Sequence, residues 1–264
     1  MTKLFGKISN FLEICKLVKL EGKDPTGSTS RLISNFLMDC GTNEIKVTTL
    51  NQESTVLTKL TYKKIDVINR GEIPIGSIEE FESYLKRFNP NDEVYVEDEE
   101  NKLKITRLKP KKIAKIPLTV RENIEDSLRV GDIGDRLVVV DDHYRIGSTE
   151  LPVIVKTRVE FIKQVLDDGN IKNLERKYPF TITKDVFEGK VGDEKGGMIV
   201  TEIPTTEIKC ESKTVSAYRM GIDNVFHNLQ GEVKICLAQN APMAVEQKTD
   251  NYEVVYLISP LEGE

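Results

Sequence analysis

The chain has 264 residues, of which 39% are hydrophobic and 31% charged, and its formal net charge is −5. That length suits one large domain or two of about 110–130 residues, each with a core of its own. The acidic balance argues against a protein that wraps nucleic acid with its whole surface, and leaves room for one that offers it a small basic surface.

Lys3–Phe5 reads as a short opening strand, followed by a helix over Ser9–Leu20 in which Phe11, Leu12 and Cys15 recur at helical spacing and Lys16 lies off the stripe. A loop at Asp24–Ser28 leads into β-rich runs at Leu32–Met38, Glu44–Leu50, Thr55–Thr61 and Ile65–Pro74. Ser77 then stands three residues before Glu80, a capping box, and predicts a helix over Ile78–Phe88 that Asn89-Pro90-Asn91-Asp92 ends. Strands are expected at Glu93–Glu97, Lys102–Leu108 and Lys111–Pro117. The stretch from Thr119 to Glu150 breaks this rhythm, with glycines at 131, 134 and 147 and a small hairpin formed by Leu137–Val140 and His143–Ile146. It reads as a connector.

The order then repeats. Leu151–Lys156 is a second opening strand and Arg158–Asp167 a third helix. Strands follow at Tyr178–Thr183, Val186–Lys190, Met198–Ile203 and Glu207–Cys210. Helical spacing runs from Tyr218 to Leu229, and three strands close the chain between Gly231 and Pro260. The expected architecture is α+β: two similar domains, residues 1–118 and 152–264, each of two helix-plus-antiparallel-strand units, joined by a connector over 119–151.

The chemistry-bearing residues are few. There are two histidines, no tryptophan and four cysteines with no CxxC pair, so a zinc site is not expected and the thiols are expected to be buried. No Gly-rich phosphate loop exists, and no cofactor is expected. No apolar run approaches the roughly 18 residues that span a bilayer, and Met1–Gly6 lacks the apolar core of a signal peptide. A cytoplasmic location is expected. Asp141-Asp142-His143 is the one cluster that suggests metal or acid–base work. Neighbours on a strand point to opposite faces, so only Asp141 and His143 could share one, and a solvated turn is the plainer reading.

The helix-then-meander at the end of the chain, with Asn240-Ala241-Pro242-Met243-Ala244-Val245-Glu246 and then Tyr256-Leu257-Ile258-Ser259-Pro260, resembles the last strands of the sliding clamps of the proliferating cell nuclear antigen family. The repeated element order extends the resemblance to nearly the whole chain outside the connector. The resemblance implies a non-enzymatic ring, a homotrimer threaded on duplex DNA that tethers a DNA polymerase and other clamp-binding proteins through short peptide motifs and is opened by a clamp loader. It implies DNA contacts from Lys16, Lys86, Lys163 and Arg219, one on each helix. Hydrated lysines of this kind attract phosphates without locking on. Glu13, Glu79, Glu82, Glu160 and Asp223 lie on the same helices and lower the expected affinity. It implies a head-to-tail joint between edge strands, with Lys111, Lys112 and Lys115 on one side and Met198, Val200 and Glu202 on the other. It implies a peptide pocket walled by Leu50, Pro242, Tyr256 and Ile258, with Ile124 or Leu128 from the connector. Two rivals stand beside this reading: a monomeric clamp-like accessory subunit that binds DNA by charge, and a metal-dependent hydrolase using Asp141, Asp142 and His143.

Overall fold

The computed structural model describes residues 1–23, 29–31, 35–51, 55–121, 124, 134–169, 177–193, 197–218 and 222–261. The chain forms two compact units: Met1–Gln52, Leu57–Gly134 and Lys248–Val254 make the first, and Glu53–Val56, Asp135–Gln247 and Val255–Glu264 the second. It is mixed α and β, with short helices and antiparallel sheets, as the sequence implied.

In the first unit the elements run β1 (Lys3–Lys7), α1 (Ile8–Lys19), β2 (Glu21–Lys23), β3 (Thr29–Arg31), β4 (Phe36–Cys40), β5 (Ile45–Leu50), β6 (Val56–Tyr62), β7 (Asp66–Asn69), β8 (Gly71–Ile75), α2 (Ile78–Leu85), β9 (Glu93–Glu99), β10 (Lys102–Arg107) and β11 (Lys112–Pro117). One sheet has the order β11-β10-β9-β1-β7, and a second run has β8-β4-β5-β6. The run predicted as one strand over Ile65–Pro74 is two. It breaks at Arg70, so that β7 pairs with β1 while β8 pairs with β4. Gly71 makes this corner at φ +148°, where a Cβ would stand 2.3 Å from Thr2 Oγ1.

The second unit begins with β12 (Leu137–Val140), β13 (His143–Ile146) and β14 (Thr149–Leu151), a small sheet of its own. The predicted hairpin is present, with a third strand added. Next come β15 (Val153–Arg158), α3 (Val159–Asp168), β16 (Tyr178–Ile182), β17 (Phe187–Asp193), β18 (Gly197–Glu202), β19 (Thr205–Lys209), β20 (Thr214–Tyr218), α4 (Ile222–Asn228), β21 (Glu232–Leu237), β22 (Met243–Lys248) and β23 (Tyr252–Ile258). The sheets repeat those of the first unit. The run β19-β15-β21-β22 matches β7-β1-β9-β10, and β20-β16-β17-β18 matches β8-β4-β5-β6. Even the irregularity repeats, because β1 slips register against β7 at Lys3/Leu4 and β15 against β19 at Lys156/Thr157.

The fourth helix corrects the sequence reading. It starts at Ile222, not Tyr218, because Thr214–Tyr218 alternates buried and half-buried residues and pairs with β16 from Ile182↔Thr214 to Tyr178↔Tyr218.

Each unit packs its two helices together and buries one stripe of each. α1 packs against α2, with Phe11, Ile14 and Val18 of the one and Ile78, Phe81 and Leu85 of the other buried; α3 packs against α4, with Ile162, Val165, Val225 and Phe226 buried. Ser77 caps α2 as expected, accepting from Glu80 N at 3.1 Å. The thiols of Cys15, Cys40 and Cys236 are buried, and burial pushes those of Cys40 and Cys236 up to about 12 and about 11. Cys210 departs from expectation in being half-buried, and donates to Ser212 O at 2.9 Å.

Candidate nucleic-acid and partner interfaces

The four cations expected to meet DNA have different surroundings. Lys16 is exposed on α1 and forms no ion pair among the described residues. Lys86 follows the last turn of α2 and pairs with Glu82 one turn back. Glu82 also holds Lys19 at 3.0 Å, tying α1 to α2. Burial resists ionisation of Glu82, but the ammonium groups of Lys86 and Lys19 outweigh it and hold the carboxyl below its ordinary range. Lys163 reaches from α3 to the end of α4, donating to Leu229 O at 3.0 Å and His227 O at 3.5 Å. It satisfies carbonyls that a helix C-terminus leaves without partners. Arg219 lies outside the described residues.

Taken together the described helices carry more acid than base, although α1 sets Lys16 and Lys19 against Glu13. Within its bounds α2 has Glu79, Glu80 and Glu82 and no base; α3 sets Glu160, Asp167 and Asp168 against Lys163. Some of these acids are occupied. Glu13 accepts from Tyr62 Oη at 2.6 Å and from Asn251 at 3.3 Å, and Glu160 accepts from Gly231 N at 3.1 Å.

Both strands expected at the subunit joint are sheet edges, each within its own unit. On β11, Lys115 pairs with Glu99 at 3.0 Å, and Lys112 donates to Arg87 O and stands over the Phe88 ring at 4.7 Å. Lys111 is exposed in the turn before the strand, with no ion pair among the described residues. Ile113 is 45% exposed on the same face as Lys115. Sequence reasoning passed over Ile113, although period-two spacing from Lys111 and Lys115 marks it. On β18, Met198 and Val200 are 45% and 50% exposed, and Glu202 extends the same face.

The expected pocket residues belong to both units. In the first, Leu50 is half-buried at the end of β5 and Ile124 is buried. In the second, Pro242 is half-buried, while Tyr256 and Ile258 of β23 are fully buried. Leu128 lies outside the described residues.

Asp141 and Asp142 form the turn between β12 and β13, with Asp141 at φ +52°. Asp142 accepts from Lys209 at 2.5 Å and stands 3.5 Å from Lys234; those two ammonium groups hold its carboxyl low. His143 Nε2 lies 3.8 Å from Glu150. Among the described residues no three His, Cys, Asp or Glu side chains gather where they could hold a metal ion, and no helix is long and apolar enough to cross a membrane.

No protein-family model and no curated protein matches the sequence. Solved structures do. The chain is similar to PCNA from Thermococcus kodakaraensis with a TM-score of 0.74 and 15% identity, over 98% of this chain and 100% of that one. It is similar to A. fulgidus PCNA, solved with the C-terminal region of FEN-1 bound, with a TM-score of 0.73 and 12% identity, over the whole of both. The chain has the PCNA sliding-clamp fold.

Proposed function

We propose that the protein is a DNA sliding clamp, a non-enzymatic processivity factor whose copies close head to tail into a homotrimeric ring around duplex DNA. The observation that carries this reading is the agreement of fold with two PCNA structures over essentially the full length of each chain. Two sheet edges without a strand partner among the described residues support it, because a heterologous joint must either close or grow into a filament.

The joint pairs β11 of one copy with β18 of the next, antiparallel. One register satisfies both exposed faces: Ile113 opposite Val200 sets Lys111 opposite Glu202 and Lys115 opposite Met198. Apolar meets apolar and Lys111 gains the carboxylate it lacks within its own unit.

The acid-rich helices make retention on DNA topological rather than adhesive. Few phosphate contacts mean weak equilibrium binding with a shallow salt dependence. The ring tethers a DNA polymerase and other clamp-binding proteins, raising their effective concentration at the template. Those partners engage the clamp through short peptide motifs, for which Pro242, half-buried in the second unit, is the accessible candidate, since Tyr256 and Ile258 are fully buried, and a clamp loader opens the joint.

The test is retention on closed-circular against linear DNA after loading. A sliding ring stays on the circle and runs off the ends once the circle is cut. Equal loss from both templates selects the charge-only accessory subunit instead.

A further inference from the structure

We infer that a cleft in the second unit, lined by the β12–β13 turn and the β19–β20 turn, is a docking site for a partner peptide that presents an arginine or lysine beside an aliphatic residue. The site lies within one unit and does not depend on the ring joint.

The cleft has a volume of about 620 Å³, which is in the range of sites that take small ligands. Asp141, Asp142 and His143 line it from the hairpin, and Lys209 to Ser212 from the end of β19 and the turn after it. Pro152 and Ala238, with the buried Val153 and Ile154, give it an apolar part.

Its walls are held in place. Asp142 accepts from Lys209 at 2.5 Å and stands 3.5 Å from Lys234, which ties the hairpin to β19 and β21. In the other turn Cys210 and Thr214 donate to Ser212 O at 2.9 and 3.1 Å, and Gln239 accepts from Val215 N at 2.7 Å. A wall that is already ordered loses little freedom on binding.

Charge selects the occupant. Around the cleft three lysines are matched by three carboxylates. Lys156 meets Glu207, Lys209 meets Asp142 and Glu207, and Lys234 meets Asp142 and Glu246. That network is neutral. Asp141 and Glu211 also line the cleft, and both are exposed with no ion pair among the described residues. Lys213, in the same turn as Glu211, does not line it, and His143 has its Nε2 3.8 Å from Glu150. The cleft therefore offers two unmatched carboxylates beside apolar surface. An alkyl stem that ends in a cation suits both, and this is the form of arginine and lysine. A neighbouring aliphatic side chain covers the apolar part that a simple amine would leave open, and an acidic segment would be repelled.

The probe is a fluorescein-labelled synthetic peptide of alternating leucine and arginine, titrated onto the full chain, with a leucine–glutamate peptide as its charge-reversed control. The leucine–arginine peptide binds about tenfold more tightly than the control and shifts the amide resonances of Val153, Ile154 and Ala238. An alkyl diamine at equal concentration does not displace it. Asp141→Asn with Glu211→Gln removes the preference; asparagine accepts the left-handed backbone that Asp141 holds at φ +52°, so the turn is kept. Asp66→Asn with Glu100→Gln takes the same charge from exposed positions of the first unit and leaves binding unchanged. Ser212→Trp fills the cleft from an exposed position with both carboxylates retained, and weakens binding. Equal binding of the two peptides, equal loss in both double variants, or displacement by the diamine overturns the inference.

Discussion

The two units are built to one plan, yet their open edges are finished differently. β11 of the first unit presents lysines held by its own neighbours, Lys115 on Glu99 and Lys112 on Arg87 O and the Phe88 ring. β18 of the second unit presents Met198, Val200 and Glu202 with little around them. A lysine-bearing edge repels a second copy of itself, while a bare apolar edge accepts any strand that reaches it. In the proposed joint they would form a directional pair in which unlike edges meet and like edges do not. For the proposed joint, the repeated fold would supply the geometry and the unequal finish the polarity.

The largest expected effect comes from spoiling the bare edge. Val200→Lys sets a charge opposite Ile113 and reduces the assembly to single chains, read as a drop in solution mass to 29.9 kDa. Ile113→Lys spoils the other side and gives the same result, whereas Glu202→Gln weakens the joint without abolishing it.

The next effect tests the sameness of the units. Phe81→Ala in α2 and Phe226→Ala in α4 each empty a fully packed site and cost about 3–5 kcal/mol. Urea unfolding of the two variants should show similar losses; a loss in one alone would mean that the shared strand order does not bring equivalent cores. Smaller again is Gly71→Ala at the β7–β8 corner. Its φ of +148° and the nearby Thr2 hydroxyl give a cost of about 1–3 kcal/mol, measurable by thermal unfolding.

These differences explain what the sequence made legible. Period-two and period-3.6 spacing placed α1, α2 and α3, the neighbourhood of α4, and the repeat, because both signals are local; the helical turn at 134–136 was not placed. Tyr218 was misplaced because β20 runs into α4 within a few residues, and apolar spacing alone cannot separate the two over so short a span. The fates of Lys86 and Lys163 could not be read. Lys86 is held by a carboxylate one turn away, a pairing that competes with any phosphate, and Lys163 by carbonyls on another helix. Ile113 is legible through its period-two spacing from Lys111 and Lys115, but in a lysine-rich run charge is the stronger signal and masks the alternation.

Two smaller effects sharpen the contrast further. Asp142 is held below its ordinary pKa in the folded hairpin, so its contribution is complete above the unfolded carboxylate range and is lost only as pH falls through that lowered value. Amide exchange in β12–β14 should therefore stay slow at neutral pH and quicken in strong acid, while Asp142→Asn quickens it at neutral pH as well. The least effect belongs to Lys16→Glu. With one phosphate contact removed per copy, the salt dependence of DNA binding should fall by about 0.9 in log–log slope per lost contact.

The central claim is that unlike edges close a ring of three. Light scattering of the purified chain measures this directly. The account predicts a mass about three times 29.9 kDa that does not rise further with concentration. A mass of 29.9 kDa at every concentration, or one that grows without limit, would contradict it.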